Sequence, residues 1–144
     1  MIIRDMTLDD VDRVSQLEEE AFSMPWHRES FIEMINNKDA LYMVADDNGK
    51  VVGTCGIITA VGEGDISNVV VDKEYRNKGV GELLVSEVMK KAADTLNVAE
   101  YTLEVRVSNA SAIRLYEKLG FVSEGIRPRF YEKPTEDAMI MWKR

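Results

Sequence analysis

Apolar and polar positions along this chain switch repeatedly between a two-residue rhythm and a three-to-four-residue rhythm. Residues 2–4 predict a short strand. Thr7 stands where a helix N-cap belongs, with Asp9 and Asp10 in the acid-favouring first turn, and Leu8, Val11, Val14, Leu17 and Ala21 recur at helical spacing. Met24, Pro25 and Trp26 interrupt that helix, and Phe31, Met34 and Ile35 mark a second. Residues 40–45 are rich in apolar side chains, Asp47-Asn48-Gly49 reads as a turn, and residues 51–61 read as the antiparallel partner strand. After Gly62-Glu63-Gly64, residues 66–71 predict a third long strand.

The second half repeats the alternation. Over residues 79–96, Val80, Leu83, Leu84, Val88 and Ala92 place an apolar stripe on one helix face. Residues 101–107 predict a buried strand. Residues 109–119 predict an amphipathic helix, with Ala112, Leu115 and Leu119 in register and Gly120 at its C-terminal cap. Phe121-Val122 and residues 138–142 are closing strands. Strands alternating with helices predict an α/β (α+β) fold, a mixed central sheet with helices on both faces. With 144 residues and no linker or repeat, residues 1–144 are expected to form one domain.

Composition narrows the chemistry. The chain is 45% hydrophobic and 31% charged, as expected of a globular protein. No basic n-region precedes an apolar run, and no stretch reaches the roughly 18 apolar residues of a membrane span. The single Cys55 has no partner for an intrachain disulfide, which suits a reducing, cytoplasmic compartment. One cysteine and one histidine, His27, do not make up a Cys/His zinc site, so no metal is expected. Acid–base work falls to carboxylates, tyrosines and lysines. A net charge of −8 opposes general nucleic-acid binding, suits a cationic partner, and equally serves solubility.

The most informative segment joins the strand residues Val69, Val70 and Val71 to a helix start through Asp72-Lys73-Glu74-Tyr75-Arg76-Asn77-Lys78-Gly79-Val80-Gly81. A helix start leaves backbone N–H groups without intrahelical partners and carries partial positive charge. Gly79 and Gly81 let a ligand approach the backbone, and Arg76 and Lys78 add cations, so this turn is suited to a pyrophosphate. The P-loop pattern fails because Glu82 follows Gly81. The dinucleotide pattern matches at Gly79 and Gly81 but has Leu84 at the third glycine; Glu104 stands near the spacing of a ribose-binding acid, so that alternative stays open.

Arg76-Asn77-Lys78-Gly79-Val80-Gly81 also fits the R/Q-x-x-G-x-G/A element of the GNAT N-acetyltransferases (acyl-CoA N-acyltransferase fold) at every defined position. The run from Leu103 through Glu104, Asn109 and Tyr116 to Phe121 resembles the second half of that family's core. Glu20-Ala21-Phe22-Ser23-Met24-Pro25-Trp26 resembles its RimI-type branch, which acetylates the N-terminal alanine of protein eighteen of the small ribosomal subunit. The resemblance covers nearly the whole chain.

It implies acetyl-CoA as cosubstrate and a ribosomal-protein N-terminus, or another peptide or amine, as acceptor. Backbone groups of Val69, Val70 and Val71 would take the pantetheine arm. Arg76, Asn77, Lys78, Gly79, Val80, Gly81 and Glu82 would surround the pyrophosphate, and Asn109 would hold the arm by its side-chain amide. Glu104 would be the general base and Tyr116 the general acid. Trp26 and Tyr131, the latter in the loop 127–131, would stand on the acceptor side.

Elementary chemistry agrees with those roles. Presenting a neutral α-amine of pKa near 8 at pH 7 costs about 1 kcal/mol, against about 4.6 kcal/mol for a lysine. A modest carboxylate base therefore suffices for an N-terminus. A phenol of pKa near 10 can protonate a thiolate whose conjugate acid lies near 8.5. Blander roles exist for each residue. Glu104 fits the solvent side of an alternating strand, Tyr116 a core position and Asn109 a plain N-cap. Cys55 is expected to be a buried, inert thiol, and His27 a capping or surface residue.

Overall fold

A computed structural model describes all residues, Met1–Arg144. Strands β1 (Ile2–Asp5), β2 (Ala40–Asp47), β3 (Lys50–Ala60), β4 (Glu63–Val71), β5 (Glu100–Arg106), β6 (Val122–Tyr131) and β7 (Glu136–Lys143) form one sheet in the order β1-β2-β3-β4-β5-β7-β6. Helices α1 (Val11–Ala21), α2 (Arg28–Ile35), α3 (Val80–Leu96) and α4 (Ala110–Lys118) cover it. Every neighbouring pair of strands is antiparallel except β4 and β5.

Alternation along the strands builds a core on each face. Val52, Cys55, Ile57, Leu103 and Val105 pack with α3 and with Tyr116 of α4, while Tyr42, Val44, Val51 and Val70 pack with Val11, Val14, Leu17 and Phe31 of α1 and α2. The mixed sheet with helices on both faces is thus as expected. No helix is long and apolar enough to cross a membrane.

The structure differs from these local expectations at four places. Leu8, expected on the apolar face of the first helix, is 61% exposed in a 3₁₀ turn, Leu8–Asp10, that Thr7 precedes and that leads into α1. Leu83 is 41% exposed, and Val85 and Met89 complete the buried stripe of α3 in its stead. The helix meets the sheet along a line that passes one position to the side of Leu83. Glu63 and Gly64 belong to β4 and not to a turn. A Cβ on Gly64 would lie 2.4 Å from Ile57 Cδ1, so this glycine serves close packing within the sheet. Residues 127–131, expected as a loop, form the distal half of β6. Pro128 is tolerated there because β6 is an edge strand, and the register with β7 shifts between Arg127 and Tyr131 around Arg129 at φ 51°.

Pairing between β4 and β5 decides where a ligand can enter. It covers only Glu63↔Glu100, Gly64↔Tyr101 and Asp65↔Thr102. Beyond those pairs β4 stays with β3 as far as Val71, and β5 stays with β7 as far as Arg106. The two strands part at Asp65 and Thr102, and the sheet opens as a fork.

Candidate active site

The fork opens into a cavity of about 1290 Å³, beyond the usual size of a compact small-molecule pocket and suited to an extended ligand. Val69, Val70 and Val71 line one wall along the unpaired edge of β4, and Leu103, Glu104 and Val105 line the other. The α3 start and α4 close one end of the cavity. The α1–α2 connection and the distal part of β6 close the other.

The turn between β4 and α3 is held from both sides. Asp72 accepts the Glu74 N–H at 2.9 Å and the Arg13 guanidinium at 2.7 Å. These bonds, the backbone one first, keep its carboxyl below the usual carboxylate range. Asn77 and Gly79 take left-handed backbone angles, φ 61° and 82°, which let the chain reverse into α3. The first helical bond runs from the Leu83 N–H to the Gly79 carbonyl at 3.1 Å, so the first-turn N–H groups of Val80, Gly81 and Glu82 face outward unpaired. Arg76 donates to the Val71 carbonyl at 3.2 Å, fixing its guanidinium beside that helix start. Glu82, an acid at a position otherwise suited to an anion, is bound by Lys118 at 2.9 Å.

Arg76, Asn77, Gly79, Val80, Gly81, Glu82 and Asn109 all line the cavity. Lys78 does not; its ammonium lies 5.4 Å from the centroid of the Tyr75 ring. Asn109 caps α4 by accepting the Ala112 N–H at 3.2 Å. The cap uses only the side-chain oxygen, so capping and cavity contact coexist at this residue.

Glu104 and Tyr116 reach the same cavity from different elements. Glu104 is 24% exposed on β5 and makes no hydrogen bond; Arg127 approaches it at 3.7 Å, too far for one. Tyr116 is 7% exposed, with its ring edge-on to Phe121. Burial pushes its phenol well up, so the group is a protonated donor throughout the neutral range. Its hydroxyl has no hydrogen-bond partner within the chain although it lines the cavity.

At the opposite end, Trp26 stacks obliquely on Phe31 and Tyr42, at 5.5 and 6.1 Å between centroids. Tyr131 lies 4.5 Å from the Arg106 guanidinium. Partial burial, and then the Glu104 charge, push its phenol up to about 12. Ser23 donates to the Glu132 carbonyl at 3.4 Å, so the α1–α2 connection touches the β6–β7 hairpin across the mouth. Phe22, Met24 and Phe130 are exposed there.

A polar hub beneath this mouth was not legible as a motif. Glu18, 2% exposed, accepts the Trp26 N–H at 3.1 Å and the Asn68 side-chain amide at 3.0 and 3.3 Å. Asn68 in turn accepts the Tyr42 hydroxyl at 2.7 Å and the Ser67 hydroxyl at 3.0 Å. It sits at φ 56° in the bulge where β4 slips against β3, a conformation asparagine tolerates better than most residues. The one available signal was an asparagine inside a run of valines. Asp65, at the apex of the fork, also lines the cavity, and no motif marks it in the sequence.

Cys55 is fully buried, and burial raises its thiol pKa, so it is no nucleophile. His27 is exposed at the start of α2, away from this cavity.

The acetyltransferase (GNAT) family model matches residues 11–121. A Bacillus subtilis protein provisionally named [ribosomal protein bS18]-alanine N-acetyltransferase is 37% identical over 141 residues, covering 97% of this chain and 93% of that protein. The Escherichia coli protein named [ribosomal protein bS18]-alanine N-acetyltransferase is 32% identical over 136 residues, covering 92% and 89%. The crystal structure of the Escherichia coli ribosomal-protein-S18-alanine N-acetyltransferase superposes with a TM-score of 0.88 at 31% identity, over 98% of this chain and 91% of that one.

Proposed function

The chain belongs to the acetyltransferase (GNAT) family, and from that premise we propose that it transfers an acetyl group from acetyl-CoA to the α-amine of a protein N-terminus. The acceptor we infer is the N-terminal alanine of a small-subunit ribosomal protein, and the transfer is direct, within a ternary complex in the cytoplasm. Residues 1–144 act as one catalytic unit in this reading.

One observation carries the proposal: the fork between β4 and β5 leads from the unpaired N–H groups of α3 to Glu104 and Tyr116 in a single cavity. The free edge of β4 offers main-chain groups to a pantetheine arm as an added strand would. The N–H groups of Val80, Gly81 and Glu82 take the diphosphate, helped by the helix dipole and Arg76. With Lys118 bound to it, Glu82 repels that anion less.

On this reading Glu104 accepts a proton from the incoming amine. The nitrogen lone pair forms the C–N bond at the thioester carbonyl, and the C–S bond breaks with its electron pair on sulfur. Tyr116 protonates the departing thiolate. An N-terminus enters over Trp26 and Tyr131, through a mouth whose exposed aromatic rings suit a peptide better than a small amine.

Incubation with acetyl-CoA and peptides representing ribosomal-protein N-termini, read by mass spectrometry, tests this. One added acetyl group on the α-amine of an alanine-initial peptide is expected. Acetylation of lysine side chains alone would refute the acceptor class. No heat of binding with acetyl-CoA at millimolar concentration would refute the reading as a whole.

A further inference from the structure

Asp65 stands at the apex of the fork, the last residue of β4 that still pairs with β5. Its partner there is Thr102, and residues two apart on a strand share a face. Asp65, Thr102 and Glu104 therefore project to the same side of the sheet, and Asp65 and Glu104 line the cavity. Asp65 makes no hydrogen bond and no ion pair within the chain. The nearby cation, Arg127 on β6, pairs at long range with Glu104 instead. Glu63 adds a further negative charge from β4 itself. On the same side lie Tyr42 of β2 and the buried Glu18 of α1, which is already bonded to Trp26 and Asn68.

Two carboxylates thus face one gap with Arg127 as the loosely engaged cation nearby; Arg106, two residues beyond Glu104 on the same face of β5, is taken up by Glu136 and the Pro134 and Glu132 carbonyls. That arrangement is unfavourable until a cation enters. The site is more than an acidic patch, because Tyr116, 7% exposed and with no hydrogen-bond partner for its hydroxyl, lines the same cavity.

We propose that Asp65 is a specificity-determining residue of the acceptor site, which together with Glu104 holds the incoming α-ammonium at the apex of the fork. Asp65 thereby selects the protonated N-terminus from solution and delivers it to the base that deprotonates it. The inference rests on the acetyl-transfer reading. Asp65 is exposed on its strand, yet desolvation by the protein atoms around the apex, and then the Glu104 charge, push its carboxyl up to about 6. Its capacity to hold a cation is therefore lost as pH falls through that value.

Steady-state kinetics of wild type, Asp65→Asn and Asp65→Glu with an alanine-initial peptide, from pH 5 to 8.5, tests it. Asp65→Asn is expected to raise KM for the peptide about fivefold, with a much smaller change in kcat, as for a lost partly exposed ion pair. The acidic inflection of kcat/KM near pH 6 should vanish in Asp65→Asn and return in Asp65→Glu. Acetyl-CoA affinity, read by calorimetry, should stay within twofold in both variants, which also reports that the fold is intact. An unchanged peptide KM in Asp65→Asn, or an inflection that persists, overturns the role of Asp65 and leaves the acetyl-transfer reading standing. A wild type that transfers no acetyl group to any peptide fails at the earlier step.

Discussion

Glu18 is the residue whose loss should separate the two ends of the cavity. It is nearly inaccessible to solvent, and it is the acceptor for two donors that have no other partner: the Trp26 N–H and the Asn68 side-chain amide. Glu18→Ala strands both. A buried donor left unsatisfied costs about 1–3 kcal/mol. Against that stands relief from holding a carboxylate out of water, the cause that also raises the Glu18 pKa. The expected net destabilisation is about 3 kcal/mol. For a chain of this length that lowers Tm by roughly 10 °C.

Glu18→Gln should recover part of the loss. The Trp26 N–H and the Asn68 amide both reach one Glu18 oxygen, which a glutamine carbonyl can replace with its two lone pairs. The NH₂ then stands where the second carboxylate oxygen meets the Asn68 amide at 3.3 Å, donor against donor. The functional consequence is directional. Trp26 and the exposed Phe22 and Met24 hang on this hub and line the acceptor mouth, whereas the first turn of α3 does not touch it. Thermal unfolding by circular dichroism, calorimetry with acetyl-CoA and peptide kinetics together check the reasoning. Peptide KM should rise severalfold below the variant's Tm, with acetyl-CoA affinity nearly unchanged. A Glu18→Ala protein melting within about 2 °C of wild type would refute the stranded-donor argument. Equal loss of affinity for both ligands would refute the separation of the two ends.

Other perturbations test other parts of the site. Gly81→Val should weaken acetyl-CoA binding, because an added Cβ lies 3.3 Å from Leu115 Cδ2 and 3.7 Å from Val71 Cγ2 and the larger side chain pushes the first turn of α3, with its N–H groups, away from α4 and β4; calorimetry reads this, with a stability loss of about 1 kcal/mol. Tyr116→Phe should cut kcat at least tenfold with acetyl-CoA affinity retained, measured by steady-state and binding assays side by side. Glu104→Gln should lower the rate most at neutral pH and recover as pH rises and the amine loses its own proton; a parallel pH–rate profile would remove Glu104 from the base role. Asp65 sits above its ordinary 3.8, at about 6. The folded chain therefore binds the extra proton, and stability should rise slightly as pH falls from 7 to 5. Below about pH 4 the trend should reverse, because the lowered carboxyls Asp10 and Asp72 then lose their partners. Melting curves of wild type and Asp65→Asn across that range check the sign.

Local sequence alone determined much of this protein. Helices α1, α3 and α4 follow from apolar side chains returning every three or four residues, with Gly79 and Asn109 at the starts of α3 and α4, while Thr7 stands before the 3₁₀ turn Leu8–Asp10 that leads into α1. The cradle before α3 was readable because a helix start with glycines is a property of ten consecutive residues. Glu104, Asn109 and Tyr116 were singled out by a motif of similar compactness. What the chain's order did not disclose depends on strands meeting. β4 and β5 are separated by the whole of α3, and only their short parallel pairing makes the fork. The same register sets Asp65 opposite Thr102 and so on the face that Glu104, two residues further along β5, also occupies. The bulge that turns Asn68 toward Glu18, 50 residues away, arises from a slip between β3 and β4. Hydrophobic periodicity reports which face of an element is buried. It carries no information about the point where two neighbouring strands stop bonding, and here that point decides which carboxylates share a cavity.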